Sequence, residues 1–202
     1  LPPRPRRSDG EVLFVEPSRQ HFFGTLESLR RETGWCPAED LLGDRGQLRR
    51  SVGSETLARL AGMPPEWQAG ARRISAIVDK ETPDELKFDR ADGILDLLSA
   101  ARIVVTSRLH AILPAMAMGV PGLFVHKDEG PGIDPALADK GHDCTCDDPR
   151  LSGLIDHVPR MTFSQLLRGL PAESWRELAR TTPAHDPDLV AAMSARVRDF
   201  LR

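Results

Sequence analysis

Short apolar runs alternate along this chain with stretches in which apolar residues recur every three or four positions, a pattern that predicts strands each followed by a helix. Val12-Leu-Phe-Val15 reads as a strand, and Phe22, Phe23, Leu26 and Leu29 then follow at helical spacing up to Gly34. The glycine-rich segment from Pro37 to Gly53 reads as loop, and a short helix from Ser54 to Ala61 is stopped by Gly62 and Pro64-Pro65. From there the alternation is regular. Ile74–Val78 is predicted as a strand. Asp89–Ala101 follows as a helix with Ile94, Leu95, Leu97, Leu98 and Ala101 on one face, and Ile103–Val105 as the next strand. A helix over Leu109–Met118 ends at Gly119 with Pro121 just beyond, and Leu123–Val125 is a further strand. Pro114 falls inside that helix, where the lost donor and the ring predict a late start or a kink.

From Leu151 onward the pattern is helical, with breaks at Pro159, Pro171 and Pro183. The last helix has Asp186 as cap, Pro187 at its first position and a stripe of Leu189, Met193, Val197 and Phe200. Strands that alternate with amphipathic helices at this spacing imply an α/β fold, a parallel Rossmann-like sheet with helices on both faces. Residues 1–10, rich in proline and arginine, are expected to be a disordered linker, with one domain over 11–202.

Charge and composition narrow the function classes. The 27 basic and 30 acidic residues leave a net charge of −3, without the positive footprint of a nucleic-acid binder. The longest apolar stretch, Leu109 to Val125, is interrupted by Pro114, Gly119, Pro121 and Gly122, so no membrane span is predicted. Three cysteines, Cys36, Cys144 and Cys146, do not make a disulfide framework and predict a reducing compartment, the cytoplasm. The opening Leu1-Pro-Pro-Arg-Pro-Arg-Arg7 reads as a linker from a longer chain rather than as a signal peptide.

The residues that carry chemistry lie between two predicted strands. A buried strand ending at Val105 releases Thr106, Ser107, Arg108 and His110 at its carboxyl end, where the next helix begins. That is the edge at which open α/β sheets bind ligands, and the start of a helix adds unpaired N–H groups and partial positive charge. Arg108 can hold a carboxylate or phosphate in bidentate fashion, Ser107 can cap the helix or donate to the same anion, and His110 can move a proton near neutral pH. His126, Lys127, Asp128 and Glu129 follow the next strand at the same edge. They read either as a polar surface turn or, for Lys127, as a further anion or acceptor contact. Gly141-His-Asp-Cys-Thr-Cys146 is not read as a metal site, because C-x-C lacks the two-residue gap of structural zinc and no second pair is present.

Ser107-Arg108-Leu109-His110, followed by an alanine-rich helix that ends in Gly119-Val120-Pro121 and a further strand, resembles the polysaccharide pyruvyl transferase family. The resemblance is clearest over residues 89–128. It implies one lobe of a two-lobed, GT-B type architecture and phosphoenolpyruvate as donor. The pyruvate would be placed as a ketal on a sugar of a cell-wall or exopolysaccharide glycan, with no cofactor. It further implies that Ser107, Arg108 and Leu109 bind the donor, with Lys127 nearby, and that His110 acts on it as acid or electrostatic stabiliser. The family's amino-terminal lobe is not visible in the sequence, which leaves a missing amino-terminal lobe or a homo-oligomer as expected partners. Two other readings stand beside it. One is a nucleotide-sugar glycosyltransferase lobe of GT-B type, disfavoured because no Asp or Glu occurs from Leu97 to Lys127. The other is a non-catalytic, truncated anion-binding domain.

Overall fold

The computed structural model describes residues 9–15, 53–75, 81–126 and 158–181. Five strands among them form one all-parallel sheet: β1 (Val12–Val15), β2 (Arg72–Ile74), β3 (Ile103–Thr106), β4 (Gly122–His126) and β5 (Arg160–Thr162), in the spatial order β2-β1-β3-β4-β5. The helices are α1 (Ser54–Leu60), α2 (Pro65–Gln68), α3 (Asp84–Ala100), α4 (Leu109–Ala117), α5 (Phe163–Arg168) and α6 (Ala172–Arg180). This is the α/β, Rossmann-like arrangement that the alternating pattern predicts.

The strands are short, so their side chains sort by the period-2 pleat into two cores. Val12, Phe14, Ile103, Val105, Leu123, Val125 and Met161 point to one face and pack with residues of α1, α2, α5 and α6. Leu13, Val15 and Val104 point to the other, where Leu98 of α3 and Ala111 and Ala115 of α4 cover them. Phe124 lies on this second face with Ile112 and Val158. Burial on both sides explains why β1, β3 and β4 read as continuous apolar runs.

Three predicted elements differ from those observed, each for a local reason. The strand expected at Ile74–Val78 is instead Arg72–Ile74, pairing Leu13 with Arg72 and Val15 with Ile74. It borders the described sheet and carries charge, with Arg72 3.5 Å from the Glu11 carboxylate, so hydropathy does not mark its start. Helix α3 begins at Asp84, five residues before the predicted Asp89. Residues 84–93 are almost wholly exposed and so show no apolar stripe, while Asp84 and Glu85 suit the positive end of the helix dipole. Beyond Pro159, where helix was expected, Arg160–Thr162 is a strand on β4, with only Met161 buried. Three residues are too few to show alternation. The predicted elements at 22–33, 76–78 and 186–200 lie outside the described residues.

Two contacts lock the first face. The Ala61 carbonyl accepts both the Leu170 N–H at 2.9 Å and the buried Trp175 Nε1–H at 2.7 Å, joining the end of α1 to α6. Gly62 turns there at φ 72°, and a Cβ on it would collide with the Leu170 carbonyl. At the amino edge of the sheet, Arg102 donates from Nε to the Gly10 carbonyl at 3.0 Å and lies 4.9 Å over the Trp67 ring. Trp67 and Trp175 therefore anchor face and edge away from the carboxyl ends of the strands.

Candidate functional site

The sheet order decides where a ligand can sit. From β1 the chain goes to β2 on one side, then returns through α3 to β3 on the other, so connections leave β1 and β3 toward opposite sides. The crevice outside the carboxyl ends of two such strands is the topological switch point at which doubly wound folds bind ligands. Val15 and Thr106, paired in register, are the last residues of β1 and β3 and mark this point.

Thr106 is buried, 1% exposed, and its hydroxyl is satisfied on both sides. It donates to the Val15 carbonyl at 2.7 Å and accepts the Arg108 N–H at 2.9 Å. The second bond is a Thr-turn, in which a side-chain oxygen takes the N–H two residues on. Ser107 and Arg108, both half-buried, form the turn, and Arg108 is the N-cap of α4 at φ −105° and ψ 122°. Its carbonyl accepts the N–H groups of Ala111 and Ile112 at 3.1 Å each, whereas its side chain makes no capping bond. Leu109 opens the helix and His110, in its first turn, is exposed.

The helix begins at Leu109, as the spacing predicts, and runs through Pro114 to Ala117, so the late start expected of Pro114 is not found. It closes with Gly119 at φ 72°, the left-handed position that favours glycine. A glycine also sets how near α4 lies to the sheet: a Cβ on Gly122 of β4 would meet the Ile112 side chain. The small residues Ala111 and Ala115 on the buried side of α4 serve the same close approach.

Four of the five site residues expected from sequence, Ser107, Arg108, Leu109 and His110, thus share one turn at the switch point. Lys127 lies outside the described residues. His126, half-buried, ends β4 in register with Thr162, two residues beyond Phe124, which is the partner of Thr106. Strand β4 therefore reaches past β3 and brings His126 to the same edge. With no Asp or Glu between Leu97 and Lys127, the segment from the end of α3 to the end of β4 carries only neutral and cationic side chains at this edge. Opposite sign at close range favours an anion there.

The sequence puts both Thr106 and His126 at this edge but gives neither a role. A threonine ending a β-branched run two positions before an arginine is the local signal for the turn, but its partner on β1 is 91 residues away. The Gly141–Cys146 segment lies outside the described residues. Among the described residues no helix is long and apolar enough to cross a membrane.

Residues 68–125 match the family model described as polysaccharide pyruvyl transferase. The matched stretch runs from the end of α2 into β4 and contains the whole Thr106–His110 turn. The resemblance to that family therefore rests on the segment that builds the switch point. No curated protein and no solved structure gives a significant match.

Proposed function

We propose that this chain is a polysaccharide pyruvyl transferase, or its donor-binding lobe, which transfers pyruvate from phosphoenolpyruvate to two hydroxyls of a sugar as a ketal. The observation that carries the reading is the placement of Arg108 and His110 on the first turn of α4 at the switch point, inside the family match. The donor carries a phosphate and a carboxylate, and this edge offers a guanidinium, helix N–H groups and a stretch from Leu97 to Lys127 without Asp or Glu.

In the proposed chemistry the donor methylene takes a proton and becomes the methyl group, leaving an oxocarbenium-like centre that a first sugar hydroxyl attacks. A second hydroxyl then displaces the phosphate and closes the ketal. Of the two protons released by the sugar, one balances the proton taken by the methylene and the other leaves with the phosphate. Arg108 would hold an anionic group of the donor, Ser107 and the backbone of Leu109 would donate to it, and His110, exposed toward solvent, would transfer the proton. Lys127, next after β4, would add a cation for donor or acceptor. The acceptor would be a sugar of a cell-wall or exopolysaccharide glycan, handled in the cytoplasm. A second, GT-B type lobe or another copy of the chain would supply the acceptor side.

The test is calorimetric titration of the purified chain with phosphoenolpyruvate, with uridine diphosphate as control. Selective binding of phosphoenolpyruvate that weakens by about tenfold or more in Arg108→Ala is expected, since a hydrogen bond to a charged group contributes about 1.5–3 kcal/mol. His110→Gln should reduce turnover more than affinity. Preference for uridine diphosphate would favour a nucleotide-sugar glycosyltransferase, and an Arg108→Ala variant that binds as well as the parent would remove the anion site.

A further inference from the structure

We infer that Thr106 is a positioning residue whose hydroxyl, by bridging β1 to the turn, sets Arg108 and the first turn of α4 for anion binding. The inference rests on the pyruvyl transferase reading and deepens it.

Strand β3 is Ile103-Val-Val-Thr106, and a fourth β-branched apolar residue would continue it with the same shape. Valine and threonine are nearly isosteric, so packing alone does not call for a hydroxyl at a position 1% exposed. Burying a hydroxyl is costly unless its bonds are made, and here donor and acceptor are both used. Moreover, the two bonds go to different places. The donor bond reaches the Val15 carbonyl at the end of β1, across the crevice strand pair, and the acceptor bond takes the Arg108 N–H.

Arg108 is thereby held through both of its backbone polar groups. Its N–H is fixed by Thr106 and its carbonyl by Ala111 and Ile112, so a hydrogen-bond path runs from β1 through Thr106 and Arg108 into α4. With that backbone pinned, the point from which the guanidinium extends is fixed. The orientation of the first-turn N–H groups is tied to the sheet as well. Such a path pre-orders the groups that meet an anion, so that less ordering cost falls on binding. Thr106 touches no donor itself in this account and acts through Arg108.

Two substitutions separate hydroxyl from volume. Thr106→Val keeps the shape and removes both bonds, whereas Thr106→Ser keeps the hydroxyl and removes a methyl. Phosphoenolpyruvate affinity of the full chain, measured well below each variant's unfolding temperature, should fall at least tenfold in Thr106→Val and stay within twofold of the parent in Thr106→Ser. The Arg108 amide should exchange with solvent faster in Thr106→Val and at the parental rate in Thr106→Ser. A merely structural role predicts the reverse order, with serine the more damaging. If Thr106→Val does not fold, serine still decides: a tenfold loss of affinity in Thr106→Ser overturns the role. Equal binding by folded Thr106→Val and the parent overturns it while leaving the pyruvyl transferase reading intact. No binding of phosphoenolpyruvate by the parent sinks both.

Discussion

Against one face of the sheet lie Trp67, Phe163 and Trp175, large rings packed on Phe14, Leu123 and Val125. Against the other lie Ala111, Ala115 and Val120, with α4 drawn so close that Gly122 leaves no room for a methyl beside Ile112. The aromatic face belongs to α1, α2, α5 and α6 and, among the described residues, carries no candidate site residue. The small-residue face carries α4, whose first turn is the candidate site. Large rings maximise buried area, whereas small residues let helix and strand approach closely and so fix the distance between them. One face thus supplies stability and the other supplies position.

Trp175 is fully buried and its Nε1–H reaches the Ala61 carbonyl. Trp175→Ala should cost about 3–5 kcal/mol in denaturant unfolding. The affinity of the remaining folded molecules for phosphoenolpyruvate should stay within about twofold, because distant sites behave additively. A large affinity loss at full folding would show that the aromatic face also sets the site.

Gly122→Ala probes the other face with a smaller cost in stability. Its methyl must displace the side chain of Ile112, itself 1% exposed, and overpacking of this kind costs about 1–3 kcal/mol. Since Ile112 follows His110 by two residues on α4, the displaced helix should weaken phosphoenolpyruvate binding beyond what the stability loss explains. An alanine variant that is less stable yet binds normally would separate helix distance from site geometry.

The smallest effect is expected at the exposed rim of the aromatic face. The Arg176 guanidinium, 2.9 Å from the Glu66 carboxylate, holds that carboxyl below its ordinary value, chiefly through their hydrogen bond. A depressed folded-state pKa stabilises above the unfolded value and is lost as pH falls through the folded one. The stability curves of the parent and Glu66→Gln should therefore converge in acid, below the ordinary carboxylate range, and differ slightly at neutral pH. Because the pair is exposed and screened, the gap should shrink further in salt; a gap that widened on acidification would contradict the assignment.

Much of this was legible in the chain itself, for identifiable reasons. Val12–Val15, Ile103–Val105 and Leu123–Val125 are buried on both faces, so their hydropathy marks them, and Gly62 and Gly119 sit where left-handed turns end helices. The turn from Ser107 to His110 was legible too, since a strand end, a helix start and a nearby arginine and histidine are local features. The strand Arg72–Ile74 at the border of the described sheet, the strand Arg160–Thr162 and the exposed first half of α3 were not. Each is half or wholly solvated and so lacks the periodicity on which the prediction depends.

By itself, then, the sequence determined the α/β class, the buried central strands and the Ser107–His110 turn, because these follow from hydropathy and backbone preferences within a few residues. The tertiary structure decided the strand order β2-β1-β3-β4-β5, and with it that β1 and β3 form the switch point. It also decided that the Thr106 hydroxyl meets Val15, and that β4 extends two residues past the partner of Thr106 to His126. Those relations join residues far apart in the chain, and only the pairing of strands and the packing of helices on them brings such residues together.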